Sequence, residues 1–376
     1  MLYPDEYDSF SELLEGLTSL LEKKVLPNSP AVDEAKVSID EMRNELFRAG
    51  LCQIPFSKSY GGIGLPFPVY ALAIELAGAA EASTALSIAI HNTVAEGIHK
   101  FGNEEQRSEL LPDIITGKKL AAFALTEPSS GSDASAMNTK AKKEGSGYAL
   151  NGSKSYITNA GEADIYLIFA RTEVGPSAFL VKKEATGLNF GEDISKLGMK
   201  GSRTAEVFLQ DCRVGSESLL GEEGMGLEYA KKMLNASRIV MGALCLGIAQ
   251  LAYDKALVYS KERRAYGRSI SELQLIREKI SNMITEINSA RLLYLYAASL
   301  KDTVADFSSE AAQAKILATE TSLKVCDDAI QIFSGYGYTN HDVHRHWRDA
   351  RLLAIGEGTS EVLRMLIARK ELAKIQ

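Results

Sequence analysis

The repeat of the apolar residues changes twice along this chain, and that change constrains the fold more than any other feature. Over residues 9–112 the period is helical. Phe10, Leu13, Leu14, Leu17 and Leu21 recur at three- and four-residue steps, which sets them on one helix face. Ser9 and Glu12 form a capping-box pattern at its start. Ile39, Met42 and Leu46 give a second face that stops at Gly50, and Val69 to Ile98 is apolar on nearly all sides, as in buried helices. From Ala121 to Gly215 the period shortens. Runs such as ADIYLIFAR, SAFLVKK and AEVFLQDCRV predict strands, with turns expected at Gly-Ser-Gly (145–147) and Asn-Gly (151–152).

Helical spacing then returns. Gly226 to Ser260 is expected as one helix about 50 Å long. Leu273, Ile276, Ile280, Met283, Ile287, Ala290, Tyr294 and Ala297 form the stripe of a bundle helix. Ile316, Thr319, Leu323, Cys326, Ile330 and Phe333 form another. The reading is mainly α with a central β domain. It has an N-terminal helical domain (1–120), a mainly antiparallel, barrel-like middle domain (121–225) and a C-terminal four-helix bundle (226–376).

Composition narrows the function. The 376 residues hold 42 basic and 49 acidic side chains, a net charge of −7, with 45% hydrophobic and 24% charged residues. That is the balance of a globular protein, and it argues against a phosphate-backbone partner, which needs clustered cations. The four cysteines stand far apart and read as buried or free thiols of a reducing compartment. The acidic start MLYPDEYDSF lacks a signal or transit pattern, and no run of about 18 apolar residues stands out. The expected location is the cytoplasm, with no membrane insertion.

No G-x-G-x-x-G, P-loop, H-E-x-x-H or G-x-S-x-G pattern is present. His341, His344 and His346 (HDVHRH) are spaced as metal ligands are, but they read as an Arg/His-rich surface or interface loop, and no metal is assigned. Two other segments carry more. The loop from Phe123 to Asp133, FALTEPSSGSD, offers small residues and hydroxyls whose backbone N–H groups suit an anion, or it is an ordinary turn. Glu357 stands between Gly356 and Gly358 ahead of a helix. It is either a general base in a closed pocket or a helix-start carboxylate held by the macrodipole.

Together these segments, with SYITNAG (155–161), KLGMKGSRTAEVFLQDCRV (196–214), ERRAYG (262–267), QIFSGYGY (331–338) and RDARLLAIGEGTSE (348–361), resemble the acyl-CoA dehydrogenase family over nearly the whole chain. The likeness is greatest to its short-chain and related branches. It implies the α–β–α fold above, a homotetramer built as two dimers, FAD, and a place in fatty acid metabolism such as β-oxidation. The implied reaction desaturates an acyl-CoA between Cα and Cβ to the trans-2-enoyl-CoA. Electrons then pass to an electron-transfer flavoprotein.

Residue by residue, the resemblance makes Glu357 the base for the α-proton, while the β-hydrogen leaves as hydride to the flavin N5. Phe123, Leu125, Thr126, Gly131 and Ser132 would line FAD, with Ser132 also near CoA. Tyr156 would lie against the flavin, where many members carry Trp, with Ile157 beside it and Thr158 near N5. Arg263, Gln274, Gln331 and Gly335 match positions that hold the pyrophosphate and adenosine from a neighbouring subunit. Thr359 and Glu361 match further FAD contacts. Asn235, Arg238, Gly356 and Gly358 fall at the substrate positions, and the backbone N–H of Glu357 would bond the enolate oxygen.

Branches that carry the base elsewhere place it just before the arginine matching Arg238, where this chain has Ser237. Other departures are Ser334 where Gly is usual, Tyr336 for a common Asn, Ala265 beside Arg263, and Gly356 where straight-chain members often have Tyr. The last would widen the pocket near Cα and Cβ for a branched or bulky acyl group. The competing readings are an oxygen-using flavoenzyme, an acyl-carrier-protein-linked dehydrogenase and a non-catalytic ligand-binding relative on the same fold.

Overall fold

The structure, a computed structural model, describes residues 7–375. The N-terminal part comprises α1 (Tyr7–Leu20), α2 (Ser29–Asp33), α3 (Asp40–Arg48), α4 (Phe67–Ala80), α5 (Ala82–Phe101) and α6 (Glu104–Ile115). Ser9 lies within α1 rather than capping it, and its side chain is outside the described residues. The apolar stretch 69–98 is two helices, broken at Glu81. This buried carboxylate has extended backbone and caps α5 by accepting the Ser83 and Thr84 N–H groups at 3.1 and 2.6 Å.

The middle part is one curled seven-stranded sheet: β1 (Ala121–Ala124), β2 (Lys140–Glu144), β3 (Gly147–Thr158), β4 (Ile165–Arg171), β5 (Pro176–Lys182), β6 (Leu188–Phe190) and β7 (Thr204–Gly215). The order is β1-β4-β2-β3-β7-β6, with β5 also on β4. Pairing is antiparallel except where β4 meets β1 and β2. The turn at 145–147 joins β2 to β3 as expected. Asn151-Gly152 is not a turn. It lies inside β3 at a register shift against β7, with Asn151 and Asp211 exchanging two hydrogen bonds across the strands. A Cβ on Gly152 would stand 2.6 Å from the Thr139 hydroxyl, so the bulge needs glycine there.

The C-terminal part begins with α7 (Gly226–Glu262). A two-stranded ribbon follows, β8 (Arg264–Ala265) with β9 (Arg268–Ser269). Then come α8 (Gln274–Thr303), α9 (Ser308–Phe333), α10 (Gly335–Thr339), α11 (His341–Leu353) and α12 (Ser360–Leu372). Contrary to the sequence expectation, α7 contains an 18-residue window apolar enough by composition to cross a membrane; 83% of it is buried by the rest of the chain, as in a core helix. The buried face of α9 includes Ile316, Thr319 and Cys326 of the expected stripe, but it is wider and made mostly of small residues. Ala311, Ala314, Ala318, Ser322, Val325 and Ala329 are buried, whereas Leu323, Ile330 and Phe333 are only partly so. Small residues let α9 approach α7 closely, and close backbone approach outweighed side-chain size in choosing the face. HDVHRH is not a loop: residues 341–346 open α11, with His346 buried and Arg348 donating to His344 at 3.1 Å.

Candidate active site

The link between α11 and α12 is held from below by polar side chains of α7 and α9. Glu357 sits in the short connection from α11 to α12 with φ +58°, a left-handed conformation costly for a residue with a Cβ. Gly358 follows at φ +102°. Two bonds hold this strained link, and a third orients the arginine that makes one of them. Arg238 of α7 donates from Nε to the Glu357 carbonyl at 3.1 Å and from Nη1 to Asn235 Oδ1 at 2.8 Å. Lys315 of α9 donates to the Gly358 carbonyl at 2.7 Å. Thr359 caps α12, accepting the Val362 N–H.

The Glu357 Oε2 is buried without a hydrogen-bond partner among the described residues. Burial raises the pKa of the carboxyl, and Arg238, Lys315 and the Ser237 hydroxyl hold it partly down. Oε2 is thus a buried proton acceptor flanked by two cations. Lys315 itself is fully buried, and burial lowers its pKa to about 8. Sequence reading missed Lys315. Its signal was one lysine among Ala311, Ala314 and Ala318 on a face too small and apolar to be solvated.

The loop's placement depends on all three parts of the chain. Arg348 of α11 pairs with buried Asp33 of α2 and donates to the Leu197 carbonyl at 3.0 Å. Asp349 accepts the Met199 N–H. These contacts fix α11 against both the N-terminal helices and the β domain, and α11 delivers Glu357.

A second cluster lies where β1 leaves the sheet. Phe123, Leu125 and Thr126 are half-buried, and the Ser155 N–H donates to the Thr126 carbonyl at 2.9 Å, tying this loop to the end of β3. There Tyr156 has φ +58° and is 69% exposed, while Ile157 is buried and Thr158 half-buried. A large aromatic forced outward at a register shift, with a strained backbone, is a platform for a flat ligand. Gly131 and Ser132 are exposed, with open space around Gly131.

Beneath them Lys154 and Glu127 form a buried ion pair at 2.7 Å. Glu127 also accepts the Asn138 and Thr139 N–H groups, clamping the loop ends. Burial lowers Lys154 to about 8. This clamp too was not foreseen. An exposed aromatic, an open small-residue loop and a buried proton acceptor are the kinds of group that a flavin and a thioester would need.

A third cluster lies elsewhere. Arg263, Gln274, Gln331 and Gly335 are exposed, and the Arg263 guanidinium sits 5.9 Å from the Tyr336 ring centre. Arg238 lies in the first half of α7 and Arg263 caps its C-terminal end, roughly 37 Å apart along the helix at 1.5 Å per residue. One chain therefore does not gather this set with Glu357. Glu361 is exposed in the first turn of α12. Gly356 leaves room: a Cβ there would meet only the Leu352 carbonyl, at 3.7 Å.

Models of the acyl-CoA dehydrogenase N-terminal, middle and C-terminal domains match residues 8–118, 122–212 and 224–372. The human mitochondrial short-chain specific acyl-CoA dehydrogenase is 40% identical over 95% of this chain and 88% of its own length. Butyryl-CoA dehydrogenase from Megasphaera elsdenii is 37% identical with a TM-score of 0.94, covering 96% of this chain and 98% of that one. An acyl-CoA dehydrogenase complexed with FAD from Bacillus anthracis is 31% identical with a TM-score of 0.92, over 98% of this chain and 67% of that one. The chain belongs to the acyl-CoA dehydrogenase family of flavin-dependent oxidoreductases.

Proposed function

We propose that the chain dehydrogenates an acyl-CoA thioester between Cα and Cβ, with Glu357 as the base. The observation that carries this reading is the orphaned, buried Glu357 Oε2 on a strained link held by Arg238 and Lys315. In this reading Glu357 takes the α-proton, and its backbone N–H bonds the thioester oxygen as charge develops there. Asn235, Arg238, Gly356 and Gly358 line the thioester end.

Phe123, Leu125, Thr126, Gly131, Ser132, Tyr156, Ile157, Thr158, Thr359 and Glu361 hold the cofactor. When bound, FAD supplies the acceptor for the hydride leaving Cβ. Arg263, Gln274, Gln331 and Gly335 serve a neighbouring copy's cofactor, as their distance from Glu357 within one chain supports, in a homotetramer. Electrons leave for an electron-transfer flavoprotein. We place the enzyme in the cytoplasm, since the long apolar window of α7 is taken up by its own core.

The test is anaerobic titration of the FAD-loaded protein with straight and branched acyl-CoAs, following the flavin absorbance. Bleaching by one class, lost in Glu357→Gln, supports the reading. A yellow protein that no acyl-CoA bleaches would turn it toward a carrier-bound substrate or an oxygen-using enzyme. A protein that cannot take up FAD would leave the non-catalytic reading.

A further inference from the structure

Proton removal and hydride removal draw on different parts of this chain. On the reading proposed above, the groups that act at Cα, namely Glu357, Arg238 and Asn235, stand on the C-terminal helices or on the link they hold. Most of the groups that seat the flavin, Phe123 to Ser132 and Tyr156 to Thr158, stand on the β domain. The two steps cooperate only at a fixed separation of base and flavin platform, because a misplacement of about 1 Å can cost about a hundredfold in rate.

One stretch, residues 197–204 between β6 and β7, touches both sides. Its first half lies on α11. Arg348 donates to the Leu197 carbonyl at 3.0 Å. A Cβ on Gly198 would stand 2.2 Å from the Arg348 carbonyl oxygen, so the two backbones are in direct contact. The Met199 N–H donates to the buried Asp349 carboxylate, about one turn before α11 ends at Leu353. Met199 is held at φ +48°, and Ser202 donates to its carbonyl at 3.0 Å, so the turn that presents this N–H is strained and braced.

The second half lies on the flavin platform. The Arg203 carbonyl accepts the Asn159 N–H at 2.9 Å, and Arg203 donates from Nε to the Ala160 carbonyl at 2.7 Å. Thr204 pairs with Thr158 and Ala205 with Ile157, the two residues that follow Tyr156. Asn159 donates in turn to the Ala121 carbonyl at 3.0 Å, at the start of the strand that leads to Phe123. Between the two ends, a Cβ on Gly201 would stand 2.3 Å from Val32 Cγ1, so the stretch is seated on the N-terminal helices with no room to shift toward them.

We infer that residues 197–204 form a strut that sets the distance between the base and the flavin platform, with Asp349 and Arg203 as the positioning residues at its two ends. Both act through Glu357 and Tyr156. Ordinary packing would ask only that these contacts stabilise the fold. A strut asks more. Loosening it leaves proton removal at Cα in place, because the Glu357 link is bonded to α7 and α9 and shifts with them. Hydride removal from Cβ, which needs the platform, is what suffers.

The experiment separates the two steps on the FAD-loaded enzyme. Methylthioacetyl-CoA has nearly the size of butyryl-CoA but carries sulfur in place of Cβ. Glu357 can remove its α-proton and return a deuteron from D2O, while no hydride can leave. One rate is this exchange, followed by mass spectrometry; the other is flavin reduction by butyryl-CoA. Their ratio within one preparation does not depend on the fraction folded. In Asp349→Ala, Gly198→Ala and Arg203→Met the ratio of reduction to exchange should fall about ten- to a hundredfold, with exchange itself within about threefold of wild type. Amide hydrogen exchange of the same holoenzymes gives a readout apart from turnover: protection should fall at residues 197–204 and hold elsewhere. A ratio that the variants of either end leave at the wild-type value, or reduction and exchange falling together, overturns the inference and leaves the stretch as ordinary packing. If wild type neither exchanges nor is bleached by butyryl-CoA, the dehydrogenase reading itself fails and this inference with it.

Discussion

Replacing Lys315 with methionine tests how the base is held. The structure gives Lys315 one hydrogen bond, 2.7 Å to the Gly358 carbonyl, and no exposure. A bond from a charged donor contributes about 1.5–3 kcal/mol, and methionine leaves the carbonyl unsatisfied. If that energy holds the Glu357 link in its reactive conformation, kcat falls by about ten- to a hundredfold. KM changes little, because the residues that line the thioester end are untouched.

A second signature separates positioning from plain destabilisation. Burial places the Lys315 pKa at about 8, so wild type should show an inflection there in the pH profile of flavin reduction. Lys315→Met should lack it. The linkage sign is also fixed. A lysine whose folded pKa lies below its unfolded value opposes folding while charged, and this opposition fades as pH rises from about 8 toward its solution pKa. Stopped-flow reduction from pH 6 to 10, with FAD content and Tm of each variant, gives the answer. An unchanged kcat, or a loss that simply follows lost FAD or unfolding, would refute the argument.

Ser334 holds φ +59°, ψ −135°, a region that suits glycine, so Ser334→Gly should stabilise the protein by about 1 kcal/mol, read as a raised Tm; a lowered Tm would contradict this. Glu127→Gln strands the buried Lys154 ammonium and should cost about 3–5 kcal/mol, with weaker FAD retention; unchanged denaturant and FAD titrations would show that the clamp does not matter. Gly356→Tyr should cut kcat/KM for a 2-methyl-branched acyl-CoA at least tenfold more than for its straight-chain isomer. Equal effects on the two would remove the link between this glycine and acyl shape.

The α–β–α order was legible because each part repeats its own period for many residues, and long helices such as α7 tolerate no other reading. The residues that resemblance attached to the thioester, Glu357 and Arg238, prove to be bonded neighbours. What stayed hidden depends on partners distant in sequence. Asn151-Gly152 has the composition of a turn, and only Asp211 on the next strand makes it a bulge. The face of α9 was legible only in part: Ile316, Thr319 and Cys326 are buried as expected, but Leu323, Ile330 and Phe333 are only partly so, because α7 packs on small residues such as Ala314 and Ala318. Lys315 and Lys154 look like surface lysines until Gly358 and Glu127 are seen against them.

The most direct test of the account is the stopped-flow rate of flavin reduction by an acyl-CoA carrying deuterium at Cα, beside its protiated form, in wild type and Glu357→Gln from pH 5 to 9. The account predicts a primary isotope effect and an acid limb above the ordinary glutamate range, because burial raises this carboxyl. It also predicts a loss of about a thousandfold or more in the variant. A limb at the ordinary glutamate value, or a variant within tenfold of wild type, would mean that Glu357 is not the base.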